Sequence, residues 1–281
     1  AGGGVVEVDL PTGGLDAVVG NPPYIRQEEM SALSKQHSKS AAERGWQPPP
    51  DFTGRSDVYV YFFGKAGRLL REGGYLGFVT SVGWLDTEYG FRLQEFMLRN
   101  FRIVAVIESQ VDKWFADARV TTCVTVLQRE SAAEVRNANL VRFVQLRKPL
   151  AEIYSEALGG KPSPETEKAR QGDMDTIRDL IEGASDDVVT DYWRIRLVSQ
   201  RELWRQGVRR GAEYEAGKWG QYLRAPDVWF DISTAAGRRL VRLGDIATVL
   251  RGVTTGKDAF FCVEDVTDQE AARNPGSELS Q

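Results

Sequence analysis

Residues 15 to 25 read Leu-Asp-Ala-Val-Val-Gly-Asn-Pro-Pro-Tyr-Ile, and this stretch decides what kind of fold the chain builds. Val18 and Val19 supply a short buried-strand signal, which Gly20 and two prolines end abruptly. Asn21-Pro22-Pro23-Tyr24 is therefore expected on a loop at a strand's carboxyl end, where open α/β sheets bind ligands. Each proline holds φ near about −65°. Asn21 and Pro22 both precede a proline and are pushed towards extended backbone. Neither proline has an N–H to donate, so the loop offers carbonyl oxygens and the Asn21 side-chain oxygen as acceptors next to one aromatic ring.

Two acceptors beside a ring suit a planar group that carries an NH2. The amine of an adenine or of a carboxamide is a poor nucleophile, because its lone pair is delocalised. Accepting both hydrogens from chosen directions turns the nitrogen towards tetrahedral geometry and frees that pair. A ring stacked on the base contributes about 1–3 kcal/mol, which offsets much of the few kcal/mol needed to draw a base out of a duplex.

The tetrapeptide resembles the catalytic motif of the S-adenosylmethionine-dependent amino-methyltransferases, and the longer match resembles the adenine-specific DNA methyltransferases of bacterial restriction-modification and phage-defence systems, type IIG-like in layout. The match runs on through Asp57 to Phe63 (DVYVYFF), a helix, Gly73-Gly74, and the segment YLGFVTS. It continues in FADARVTTCVTVLQR, where Phe115 matches the family's aromatic that packs on the extruded base. The resemblance implies that Asn21 and the Pro22 carbonyl hold the amine, with Pro23 fixing the loop and Tyr24 stacking. It implies S-adenosylmethionine as cofactor, with Asp9 and Asn21 on the donor side. It also implies double-stranded DNA as partner and a bacterial cytoplasmic setting. The family's glycine-rich donor loop should lie upstream of the tetrapeptide, yet only twenty residues stand there, and Gly2-Gly3-Gly4 has no strand before it. The chain is therefore expected to be a fragment with an incomplete donor site. Two rivals stay open: a methyltransferase acting on a glutamine side-chain amide, and a DNA-recognition scaffold without catalysis.

The rest of the sequence fits this frame. No stretch approaches the roughly 18 apolar residues that span a bilayer. One histidine, His37, and two distant cysteines, Cys123 and Cys262, give no metal-site spacing and no disulfide framework. Up to residue 150 the pattern alternates: a helix at 57–71 ending at Gly73-Gly74, a strand at 75–80, a helix at 88–100, and strands at 102–108 and 120–128. This is the rhythm of an α/β, doubly wound sheet, and the resemblance implies that it is a Rossmann-like methyltransferase sheet, incomplete at its amino end. The polar stretch from Tyr24 to Asp57 has no clear period and reads as a flap or a surface insertion.

Residues 152 to 191 carry eleven acidic and four basic side chains, which reads as a linker with a helix near 175–181. Residues 193 to 224 carry eight basic and three acidic side chains among Trp193, Trp204, Trp219 and Tyr222. Arg194, Arg196, Arg201, Arg205, Arg209 and Arg210 are therefore candidates for DNA phosphates, with a solvated amphipathic helix over 200–210 as the alternative. Lys218 onward, including the Arg251–Gly256 segment RGVTTG, resembles the start of a target-recognition domain. The expected organisation is the C-terminal part of the methyltransferase catalytic domain over 1–150, an acidic linker or helical segment over 151–192, and a basic connector with the start of the target-recognition domain over 193–281.

Overall fold

The computed structural model describes residues 12–112, 114, 121–153, 178–179, 181–208, 214–215, 217–241 and 243–248. Seven strands form one mixed sheet: β1 (Leu15–Gly20), β2 (Leu70–Ser81), β3 (Phe101–Ser109), β4 (Thr122–Arg129), β5 (Leu140–Leu146), β6 (Val188–Val189) and β7 (Trp193–Ser199). Their order across the sheet is β1-β2-β4-β3-β5-β7-β6. β1 is parallel to β2, and β3 to β5, while β4 runs antiparallel to both β2 and β3. β1, β2, β3 and β5 therefore all end on the same side of the sheet. The expected α/β, Rossmann-like class stands.

The helices form for different reasons. α2 (Val58–Leu69) is apolar nearly all round, and Val58 to Tyr61, Phe63, Ala66 and Gly67 are buried, as befits a crossover wedged between a sheet and another helix. α3 (Glu88–Asn100) is amphipathic: Leu93, Phe96 and Met97 face inward, while Glu95 on its outer side receives Arg92 and Arg99. α1 (Ala32–Glu43) has a Ser31 cap accepting from the Ser34 N–H at 3.1 Å, and only Ala42 is buried.

The stretch between Tyr24 and Asp57 is thus no bare flap. α1 packs on α2 so closely that a side-chain carbon on Gly64 would sit 2.5 Å from the Ala42 carbonyl oxygen. Behind it, Trp46 donates to the Gly64 carbonyl at 2.9 Å and meets Phe96 edge-on at 4.8 Å, while Phe52 meets Phe96 at 5.3 Å. No apolar stripe marks this helix, because Ser, Lys and Gln fill half of its positions.

Gly73 and Gly74 play a different part from the expected helix stop. α2 gives way to β2 at Leu70, and the pairing jumps from Leu15↔Leu70 to Ala17↔Tyr75. The glycines sit in that irregularity: Gly73 has φ +76°, and a side-chain carbon on Gly74 would lie 2.8 Å from the Leu15 carbonyl. β1 also differs from a fully buried strand, for β2 is its one partner among the described residues and Val19 is 83% exposed.

Residue 193, where the basic connector is expected to begin, opens a strand of the sheet. β7 pairs antiparallel with β5 along its whole length, so Trp193 to Ser199 belong to the sheet. Chain contacts divide into Ala1–Pro226 and Asp227–Gln281. The second part contains the helix Asp227–Ala236 among its described residues. The RGVTTG segment and most of the expected helix near 175–181 lie outside the described residues.

Two buried amides secure the later segments. Gln94 donates to the Trp84, Leu85 and Gly217 carbonyls and accepts from Tyr214. Gln200 accepts from the Ile103 N–H and the Asn139 amide and donates to the Phe101 carbonyl, beside the register shift between Ile103 and Ala105.

Two outcomes follow for stability. Gly64→Val should destabilise the fold by about 1–3 kcal/mol, because α1 must lift from α2; a denaturant midpoint unchanged from the parent would contradict the close packing. Burial raises the Cys123 thiol from 9.0 to about 11. The neutral thiol is favoured in the fold, so its contribution is complete below pH 9 and lost as pH climbs to about 11, on the order of 2–3 kcal/mol. Melting temperature should fall across that window, and less steeply in Cys123→Ala.

Candidate active site

β1 and β2 run side by side to Gly20 and Phe78. Pro22, immediately beyond, is buried, while Asn21 and Pro23 are exposed and Tyr24 is half-buried. The buried proline pins the loop, so the acceptor and the ring on either side of it have defined places. The Tyr24 hydroxyl donates to Asn21 Oδ1 at 2.6 Å and lies 3.4 Å from the Val79 carbonyl of β2. Burial, with the Cys123 thiol nearby, raises the Tyr24 phenol above its usual range, so it stays protonated and remains a donor. In this resting arrangement the tyrosine satisfies the asparagine oxygen that the sequence assigns to an incoming amine.

The next turn of chain is tied down as well. The Val58 N–H at the start of α2 donates to the Ile25 carbonyl at 3.1 Å. Asp57 occupies the N-cap position of α2 without capping it; its carboxylate instead accepts from the Tyr89 hydroxyl at 3.0 Å. Tyr89 and Tyr59 hydroxyls are 3.0 Å apart, and Ser81 Oγ, the last residue of β2, donates to Tyr59 at 3.3 Å. Burial raises both phenols above their ordinary values. This chain of hydroxyls joins α2, α3 and the end of β2 beside the tetrapeptide. A cleft of about 470 Å³ opens against it, lined by Thr53, Gly54, Arg55, Thr87, Glu88 and Tyr89.

Sequence reading did not single out Asp57, Tyr59, Ser81 or Tyr89. They are scattered over thirty-two positions and meet only through the crossover, so no local spacing marks them. Farther along the same side, Arg224 bridges Asp86 at 2.9 Å and Glu108 at 3.0 Å.

Not every expected residue can be placed. Asp9 and Phe115 lie outside the described residues, as do Arg209 and Arg210. Asp16, which reads as a strand opener, is paired with Arg71 at 2.7 Å at the far end of β1. The remaining arginines do not form the single basic face expected of them. Arg194 is 3% exposed and donates to the Leu223 and Ala225 carbonyls, so it cannot meet a phosphate from there. Arg196 is largely covered and paired with Asp187 at 2.6 Å. Alternation along β7 puts Arg194 and Arg196 on one face, where the Leu223 and Ala225 carbonyls and the Asp187 carboxylate take up their donors, which a charge count does not register. Arg201 is exposed, and Arg205 is exposed but paired with Glu202 at 2.6 Å.

Among the described residues no three or more His, Cys, Asp or Glu side chains gather as a metal site, and no helix is long and apolar enough to cross a membrane.

Comparison with known proteins matches residues 5–115 to the Eco57I restriction-modification methylase family. The type II methyltransferase M.PaeR7I of Pseudomonas aeruginosa is 27% identical over 128 residues, 45% of this chain and 21% of that protein. The type II restriction enzyme and methyltransferase RM.Eco57I of Escherichia coli is 26% identical over 123 residues, 44% of this chain and 12% of its own length. The chain thus spans about a fifth or less of these relatives. Among solved structures, the type IIG restriction endonuclease BpuSI aligns with TM-score 0.49 and 14% identity, over 72% of this chain and 20% of that one. The match to this family runs through β1, the tetrapeptide, α1, α2, β2, α3 and β3, and over residues 5–115 the chain is similar to the restriction-modification methylases of the Eco57I kind.

Proposed function

We propose that the protein containing this chain methylates the exocyclic amine of an adenine extruded from double-stranded DNA, within restriction-modification or phage defence. The observation that carries this reading is the exposed Asn21 oxygen at the shared carboxyl edge of β1 and β2, with the half-buried Tyr24 ring beside it. The methyl group comes from S-adenosylmethionine, which when bound supplies an electrophilic carbon. Among the described residues the fit is to the acceptor side of such a site: Asn21 and Pro22 hold the amine, and no described set cradles the donor. Asp9 remains the proposed donor contact.

Asn21 Oδ1 and the Pro22 carbonyl take the two amine hydrogens, which localises the nitrogen lone pair. Tyr24 has first to release Asn21, and the Val79 carbonyl at 3.4 Å is ready to receive its hydroxyl. The freed ring then stacks on the base, with Phe115 proposed as a further aromatic contact to it. Arg201 and Arg205 on the helix Gln200–Gly207 remain proposed phosphate contacts, with Arg209 and Arg210 following.

The test is transfer of labelled methyl from S-adenosylmethionine to unmethylated bacterial DNA by the natural full-length polypeptide. Label should appear in adenine, and Asn21→Ala should lower the rate by at least about 100-fold while DNA binding holds. Label in protein rather than DNA would point to a carboxamide substrate, and label in neither to a recognition scaffold. Tyr24→Phe keeps the ring and removes the bond to Asn21, so its turnover should stay within a few-fold of the parent. Tyr24→Ala should lose both rate and base capture, and a loss of thermal stability alone would make Tyr24 a packing residue.

A further inference from the structure

At the opposite end of the sheet, roughly 30 Å from the tetrapeptide side along nine residues of β3, the chain carries a second polar cleft. Its volume is about 370 Å³, and Arg99, Asn100, Arg129, Ser131 and Arg136 line it together with Glu130. α3 ends there, β3 begins there, and Arg129 closes β4 opposite Phe101.

Arg129 is the unusual group. Its guanidinium lies 4.1 Å over the Trp46 ring and 5.8 Å from the Phe101 ring, so aromatic carbon covers one side. Its Nη1 and the Nε of Arg136 are fully covered and have no hydrogen-bond partner, and Arg136 Nη1 donates to the Glu130 carbonyl at 2.7 Å, so a ligand in the cleft meets the remaining guanidinium nitrogens of the two residues. Burial lowers both guanidinium pKa values from their ordinary value, the direction expected for charges taken out of water without full compensation. A buried donor left unmade is a cost that folded proteins seldom keep.

Of the three carboxylates that act on Arg136, those of Glu72, Glu130 and Glu134, two are held by backbone N–H groups. Glu130 accepts from the Ala132 N–H at 2.8 Å and Glu72 from the Ser131 N–H at 2.6 Å, at the start of the short helix Ala133–Ala138. Both still lie near enough to act on Arg136 electrostatically, and Glu72 on Arg129. Arg99 is held by Glu95 and stacked at 4.7 Å on Trp204, so it enters as a positioned charge at the rim.

We propose that this cleft binds a phosphate group, with Arg129 and Arg136 donating to its oxygens and the Ser131 hydroxyl at its edge. Planar guanidinium donors match the tetrahedral oxyanion face and favour phosphate over a halide. The volume exceeds one phosphate, so the bound molecule is a phosphate-bearing compound rather than the bare ion. The site is separate from the tetrapeptide and does not rest on the adenine reading.

Calorimetric titration of the polypeptide in chloride buffer with inorganic phosphate and with pyrophosphate tests it. Both should bind, pyrophosphate more tightly. Arg129→Gln and Arg136→Gln should each weaken pyrophosphate binding by at least about tenfold, the scale of one lost charge-assisted hydrogen bond, while Asn21→Ala leaves it unchanged. Absence of binding to either probe, or parental affinity in both arginine variants, overturns the proposal. If Arg129→Gln fails to fold, Arg136→Gln decides alone, since it leaves the stack on Trp46 in place. A short DNA duplex that displaces pyrophosphate identifies the source as backbone phosphate; one that does not identifies a soluble phosphate compound.

Discussion

Parallel pairing of β1 with β2 is the constraint on which the candidate site depends. It ends both strands at one edge and sets Gly20 against Phe78, so the chain must leave the sheet beside the Val79 carbonyl. Pro22 then turns inward and is buried, and only after that can Asn21 face out while Tyr24 folds back towards β2. The double-glycine irregularity earlier in β2 serves the same register, because the five-residue step from Leu70 to Tyr75 against two in β1 has to be absorbed before the strands run together.

Around this pair the protein relies on buried polar joints rather than on apolar packing alone. Gln94 connects α3 to a segment more than a hundred residues later, and Gln200 mends the ladder where β3 shifts register. Each amide meets several backbone groups that would otherwise be stranded away from water, so each joint is specific to one arrangement of the chain. The hydroxyl chain through Ser81, Tyr59 and Tyr89 to Asp57 does the same next to the tetrapeptide.

Much of the order of elements was legible. The helix over 88–100 and the strands ending near Glu108 and Gln128 stand where periodicity puts them, because there the pattern of buried Leu93, Phe96 and Met97, or of β-branched residues, follows geometry. The position of the tetrapeptide at a strand end was legible for the same reason. α1 was not, since its stability comes from one cap and from contact with Gly64, and neither leaves an apolar stripe. Nor was the fate of Arg194: a charge count sees a cation, but only the pairing of β7 with β5 shows that its donors are spent on carbonyls of the following helix and turn. The tyrosine and serine hydroxyls by the site come from three separate elements, and only the fold assembles them.

The two prolines carry one more consequence. Neither has an N–H, so at Pro22 and Pro23 the chain can accept hydrogen bonds but cannot donate them. A sheet ladder needs donors as well as acceptors, and the pairing of β1 with β2 stops at Gly20, just before them. The same two residues that give the loop its shape therefore keep its carbonyls from being drawn into a longer strand, and leave them to a ligand.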